Sequence, residues 1–124
     1  MLDKIKDSER WIVNAAQASE YYYYEGTLAE NQSFQSPVIN AQGKARLAYL
    51  FAVVGTPPAA IAFYIDVSAE QSFARYWERV SVSTTGSSGG DIVLPAQFFR
   101  IRVKSGSTAG SYNYRVFAAL HPVS

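Results

Sequence analysis

Gln97-Phe98-Phe99-Arg100-Ile101-Arg102-Val103-Lys104 decides how this chain is read. Phe99, Ile101 and Val103 fall on one side of an extended backbone, and Phe98, Arg100, Arg102 and Lys104 on the other. A period of two over eight residues is the signature of a strand with one face in a core. The flanks agree. Leu94-Pro95 precedes it, and Ser105-Gly106-Ser107-Thr108-Ala109-Gly110 follows it as a turn into a second strand over Ser111–Leu120.

The same pattern recurs upstream. Ala45–Val54 sets Leu47, Tyr49, Phe51 and Val53 against smaller residues, and Ala60–Val67 repeats it with Ile61, Phe63 and Ile65. Gly55-Thr56-Pro57-Pro58 separates those two runs, which excludes a membrane span and marks a turn. Arg75–Ser83 is a further strand carrying Tyr76, Trp77, Val80 and Val82, with Trp77 expected in the core. Ser33–Ile39 is another, with Pro37 near its edge. Thr84–Gly90, rich in Gly and Ser, reads as a flexible hairpin connection. Short strands at regular spacing between Gly, Ser and Pro turns indicate a sandwich or small barrel, and the fold class expected is all-β, an antiparallel β-sandwich of jelly-roll type.

The first 30 residues differ. Leu2, Ile5, Ile12 and Ala16 lie near helical spacing, and Asp7-Ser8-Glu9 supplies a cap with acid in the first turn, so a short helix is expected over 8–19. Tyr21-Tyr22-Tyr23-Tyr24 follows and ends at Gly26. Four tyrosines in an edge strand put two rings in and two out, and an aromatic interface anchor is the other reading. The domain division is therefore an arm over 1–30, made of the helix and the tyrosine strand, and a sandwich over 31–124.

Composition narrows the function classes. The 124 residues are 48% hydrophobic and 17% charged, enough for one domain with a core of its own. Nine Tyr and seven Phe favour pleated surfaces and interfaces. A formal charge of +1 argues against a nucleic-acid partner, although Arg100, Arg102, Lys104 and Arg115 with Phe98 and Tyr114 could form a basic, aromatic stripe. That stripe also reads as a solvated sheet face paired to acids such as Glu78. The absence of Cys removes thiolate chemistry and thiolate metal sites. The single histidine, His121, stands near the C-terminus, where it is expected to be solvated. Asp66, Glu70 and Asp91 share no metal-loop spacing. The expectation is a protein that is not an enzyme and uses no cofactor.

A resemblance enters at Ala74-Arg75-Tyr76-Trp77-Glu78-Arg79-Val80, continues through Leu94-Pro95-Ala96-Gln97-Phe98-Phe99-Arg100-Ile101-Arg102-Val103, and extends to Ser105–Arg115. With Gln32–Ile39 upstream, this order resembles the β-sandwich modules of tailed-bacteriophage structural proteins. Ser105 stands where their hairpin usually has Asn, and Asp66-Val67-Ser68-Ala69-Glu70 where many carry a Ser-x-Asp-Gly turn. The resemblance implies a virion location and a capsid decoration or cement role. It implies docking on the major capsid protein, or another virion protein, through the arm, with Trp11, Ile12, Tyr21, Tyr22, Tyr23 and Tyr24 as contacts, and a homo-oligomer. The alternative it leaves open is a tail, baseplate or fibre module. Such a module would bind host-surface carbohydrate through loops around 66–74 and 84–91, with Tyr76 and Trp77 as stacking residues.

Overall fold

In the computed structural model, which describes residues 20–41, 43 and 46–122, Phe99, Ile101 and Val103 have no solvent exposure. They belong to the eighth strand of an all-β chain. The elements in order are β1 (Glu20–Leu28), β2 (Ser33–Gln35), β3 (Ile39–Asn40), β4 (Arg46–Val54), β5 (Ile61–Ser68), β6 (Trp77–Thr84), β7 (Ser87–Val93), β8 (Phe98–Lys104) and β9 (Tyr112–His121). The expected helix over 8–19 lies outside the described residues.

Two antiparallel sheets face each other. One has the order β1-β9-β4-β7, and the other β2-β8-β5-β6 with β3 also on β8. Counting β2 and β3 as one interrupted strand, the chain crosses between sheets as a jelly roll does, with two Greek keys. The interruption has a local cause. Pro37 has no N–H to give the ladder, so Ser36 takes over: its backbone N–H donates to Ile101 O (2.8 Å), and its Oγ accepts from Ile101 N (2.9 Å). The strand expected over Ser33–Ile39 is split there.

The core is the meeting of the two inner faces. Leu47 and Phe51 of β4 and Val116, Ala118 and Leu120 of β9 oppose Ile61, Phe63, Ile65 and Val67 of β5 and the inner row of β8, all of them fully buried. The Phe51 and Phe63 rings stack across the sheets at 4.8 Å and 10°. Burying such side chains contributes roughly 1.5–3 kcal/mol each before the entropy of ordering them is counted.

The glycine-rich stretch is corrected by the fold. Ser87-Ser88-Gly89-Gly90 is not a hairpin loop but the first half of β7, an edge strand of the first sheet. Gly90 sits opposite Tyr49, whose ring lies over it so closely that an added Cβ would be 2.9 Å from Tyr49 Oη. The other edge of the sheet repeats the device. Gly26 of β1 is opposite Tyr114, and its Cβ would lie 2.8 Å from Tyr114 Oη. Tyrosine rings cover the strand where glycine leaves it bare.

Candidate binding surface

β1 is paired with β9 over its whole length, from Glu20↔Leu120 to Leu28↔Tyr112. The tyrosine run, grouped with the arm in the sequence, is thus an edge strand of the first sheet. Its rings alternate. Tyr22 meets Phe99 edge-on at 6.1 Å and Tyr24 meets Phe34 at 5.4 Å, both inward. Burial and the nearby Glu20 carboxylate push the Tyr22 hydroxyl up to about 12. Tyr21 and Tyr23 point outward, 48% and 39% exposed, with the Tyr23 ring 4.7 Å from Phe117. The outward row continues through Glu25, which pairs with Arg115 at 3.7 Å, to a shallow cleft of about 290 Å³ bordered by Thr27, Val54 and Asn113. Trp11 and Ile12 lie outside the described residues. Arg115, placed in sequence beside Arg100 and Arg102, stands on the opposite sheet.

The outer face of the second sheet is organised around a buried carboxylate. Asp66 on β5 has no solvent exposure and lies opposite Arg100 on β8. Arg100 Nε donates to Asp66 Oδ2 at 3.1 Å. Arg102 Nε donates to the same oxygen at 3.0 Å, and Arg102 Nη2 donates to Oδ1 at 3.2 Å. Arg102 Nη2 also donates to Glu78 Oε2 at 2.6 Å, and these hydrogen bonds, first those to Asp66, raise its guanidinium above the usual arginine range. Arg100 and Arg102 of the basic stripe are therefore part of an ion-paired network with Asp66 and Glu78, whereas Lys104 is exposed. The Glu78 pairing expected from sequence is part of it.

Aromatic rings roof the network. The Arg100 guanidinium is 4.6 Å from the Phe73 ring centroid and 4.4 Å from that of Tyr76, while those two rings lie 5.7 Å apart. Both rings thus lie side by side over one cation. Tyr64 covers Arg102 at 3.9 Å. Phe73 adopts φ +56°, a left-handed conformation that costs a non-glycine residue about 1–3 kcal/mol and persists only where the surroundings over-determine it.

The surroundings here are the loop of residues 69–76. Ser68 Oγ donates to Arg75 O (2.6 Å) and accepts from Glu70 N (2.9 Å). Phe73 N donates to Glu70 O (3.1 Å), and Arg75 returns its backbone N–H (3.0 Å) and Nη2 (2.9 Å) to the Glu70 carboxylate. Those donors hold Glu70 below the usual carboxylate range. Beyond this knot, Tyr76 and Trp77 are 45% and 49% exposed. Trp77 is not in the core: it opens edge strand β6, beside the bulge that leaves Arg79 unopposed between Val80 and Glu78.

The two loops expected to converge on a ligand do not. Trp77 lies at one end of β6, and Thr84, which leads into 84–91, at the other. His121 is half-buried as the last residue of β9, opposite Arg46. Among the described residues, no three His, Asp or Glu side chains gather as metal ligands. The sequence reading missed Asp66 as an organising group and Phe73 as a roof. Glu70 and Arg75, five residues apart across a loop, were the one local signal of the knot.

No protein-family profile matches the chain, and no curated protein matches it. Solved structures do. The chain is similar to the PBSX exported protein XepA over 86% of its own length at TM-score 0.67 and 8% identity, and spans 38% of the XepA chain. It is similar to the Yersinia pseudotuberculosis-derived mitogen over 85% of this chain and 89% of that one, at TM-score 0.57 and 12% identity. It is also similar to the carbohydrate-binding module TmCBM61, solved with β-1,4-galactotriose, over 89% and 93% at TM-score 0.50 and 11% identity. At these identities the shared property is the β-sandwich fold.

Proposed function

We propose that the chain is a non-enzymatic virion structural protein that decorates or cements a capsid. It docks on the major capsid protein through residues 1–30 and presents its sandwich as rigid surface. The observation that carries the reading is the placement of Tyr21 and Tyr23. They stand on the outer face of β1, where residues 1–19 join the sandwich, while Tyr22 and Tyr24 lock the same strand into the core. Outward aromatics on a strand held by nine register pairs supply contact area at little entropic cost. The resemblance of residues 30–120 to tailed-phage sandwich modules supports the virion assignment, and the jelly-roll strand order is in keeping with it.

The test is co-sedimentation with capsid shells assembled from the major capsid protein alone. Removing residues 1–19 leaves every described strand in place and is expected to abolish binding. Replacing Tyr21 and Tyr23 together by serine is expected to weaken it by roughly tenfold or more. Full binding by the shortened chain, with its unfolding transition retained, overturns the reading.

A further inference from the structure

We propose that the outer face of the first sheet is a docking surface for the amphipathic segment of residues 8–19 of the same chain, which crosses it as a third layer of the fold. The outer face of an antiparallel sandwich is ordinarily polar, and the second sheet follows that rule with Asp66, Glu78, Arg100 and Arg102. The first sheet breaks it. Register places Tyr23, Phe117, Leu50 and Gly89 in one row across all four strands, on the side away from the core. Ala119 and Ala48 stand in the row to one side of it, and Ala52 in the row to the other. Ala119 points away from the core, between the inward Ala118 and Leu120. It is nevertheless only 1% exposed and stands apart from the core cluster. The charges at the rim are paired within the sheet, Arg46 with Asp91 and Arg115 with Glu25. An apolar patch of this kind, left open, invites association.

The chain that precedes β1 names the occupant. It enters the sheet at Glu20, opposite Leu120, at the border of this face. Ser8, Trp11, Ile12, Ala15 and Ala16 recur at spacings of three and four, one stripe of a helix, with Glu9, Arg10 and Asn14 on the other side. A helix over 8–16 is about 14 Å long, and four strands span about 14 Å from first to last, so one such helix crosses the sheet. Gln17-Ala18-Ser19 is left to turn the chain into β1, a connection of ordinary length. Both surfaces mix large and small side chains, as interdigitating layers require. The short tether gives the stripe a high effective concentration over its own sheet, which favours it over a second copy. Tyr21 and Tyr23, on the edge strand, keep a large exposed fraction, so the surface used for docking is not consumed. The inference concerns the free protein and does not rest on the capsid reading. Its failure would leave the co-sedimentation result untouched.

The test uses the full chain carrying Trp77→Phe, in which Trp11 is the sole tryptophan. The expected result is Trp11 emission to the blue of that of a peptide of residues 1–19, with acrylamide quenching several-fold weaker. Both should be unchanged on dilution. Leu50→Asp and Ala52→Glu each put a charge on the covered face, which a packed layer does not accept without cost. Each should return emission and quenching to those of the peptide, while the β-sheet circular dichroism and its unfolding transition are retained. The first measurement needs no substitution in the sheet, so it stands even where a charged variant fails to fold. Quenching equal to that of the peptide overturns the proposal, as does protection that survives both charged variants in a folded sandwich. Protection lost on dilution overturns it in favour of a second copy as the occupant.

Discussion

Arg100 Nε donates to Asp66 Oδ2 across 3.1 Å, and the carboxylate that receives it has no contact with solvent. Two arginines converge on this one acid, and Glu78, paired with Arg102, supplies the second negative charge of the network. Asp66→Asn leaves the guanidiniums of Arg100 and Arg102 beside a neutral amide. The expected loss is about 3–5 kcal/mol, because removing one partner strands a desolvated charge. Urea unfolding should show a lower midpoint with an unchanged slope. A midpoint within error of the parent would mean that the network contributes nothing to stability.

The two glycines of β7 should differ in their tolerance of a methyl group. At Gly89 an added Cβ meets the Tyr49 carbonyl oxygen at 2.9 Å, part of a backbone that cannot swing aside. At Gly90 it meets the hydroxyl end of the Tyr49 ring, which can rotate away. Gly89→Ala is therefore expected to cost more than Gly90→Ala, within the range of about 1–3 kcal/mol typical of overpacking. Comparing the two midpoints in one denaturant checks the order, and the reverse order would refute the assignment of β7 as a tightly paired edge.

These two sites show what a linear reading can reach. The inner rows of β4, β5 and β8 were legible because burial imposes a period of two that needs no knowledge of partners. The outer row of β8 was not. Arg100 and Arg102 look like solvated cations until a carboxylate 34 residues upstream of Arg100 is brought opposite by the register of β5. Ser87–Gly90 was read as a loop because glycine is weak in isolated strands, and the Tyr49 ring that covers it comes from another strand. Trp77 was assigned to the core on residue type alone, whereas its position at the end of an edge strand leaves it half exposed. The tyrosine run was readable as two rings in and two out, since that follows from alternation.

Tyr22 links strand β1 to alkaline stability. Its hydroxyl is pushed up to about 12 by burial and by Glu20, against an ordinary value near 10. The folded state thus favours the neutral phenol. The stabilising difference is fully present below the ordinary value and is lost as pH rises through the folded one. Between about pH 10 and 12 the parent is expected to lose stability more steeply than Tyr22→Phe, which has no phenol to ionise. Phenolate ultraviolet absorbance followed against pH, beside circular dichroism, reads both events. Equal alkaline slopes for the two proteins would show that Tyr22 ionises without regard to folding.

Glu70 carries the opposite sign. Hydrogen bonds from Arg75 lower its carboxyl below the usual range, so the loop contribution is present above the ordinary glutamate value, near 4.3, and is lost as pH falls through the lowered one. The loop knot should hold at neutral pH and loosen only in this acidic window. With Trp11 replaced by phenylalanine, Trp77 is the sole tryptophan, and its fluorescence reports the end of the loop. The expected outcome is a flat signal from neutral pH down to the ordinary glutamate range, then a step below it that Glu70→Gln abolishes. In that variant the signal at neutral pH should already resemble that of the acidified parent. A step that persists unchanged without Glu70 would remove Glu70 as the clasp of the loop.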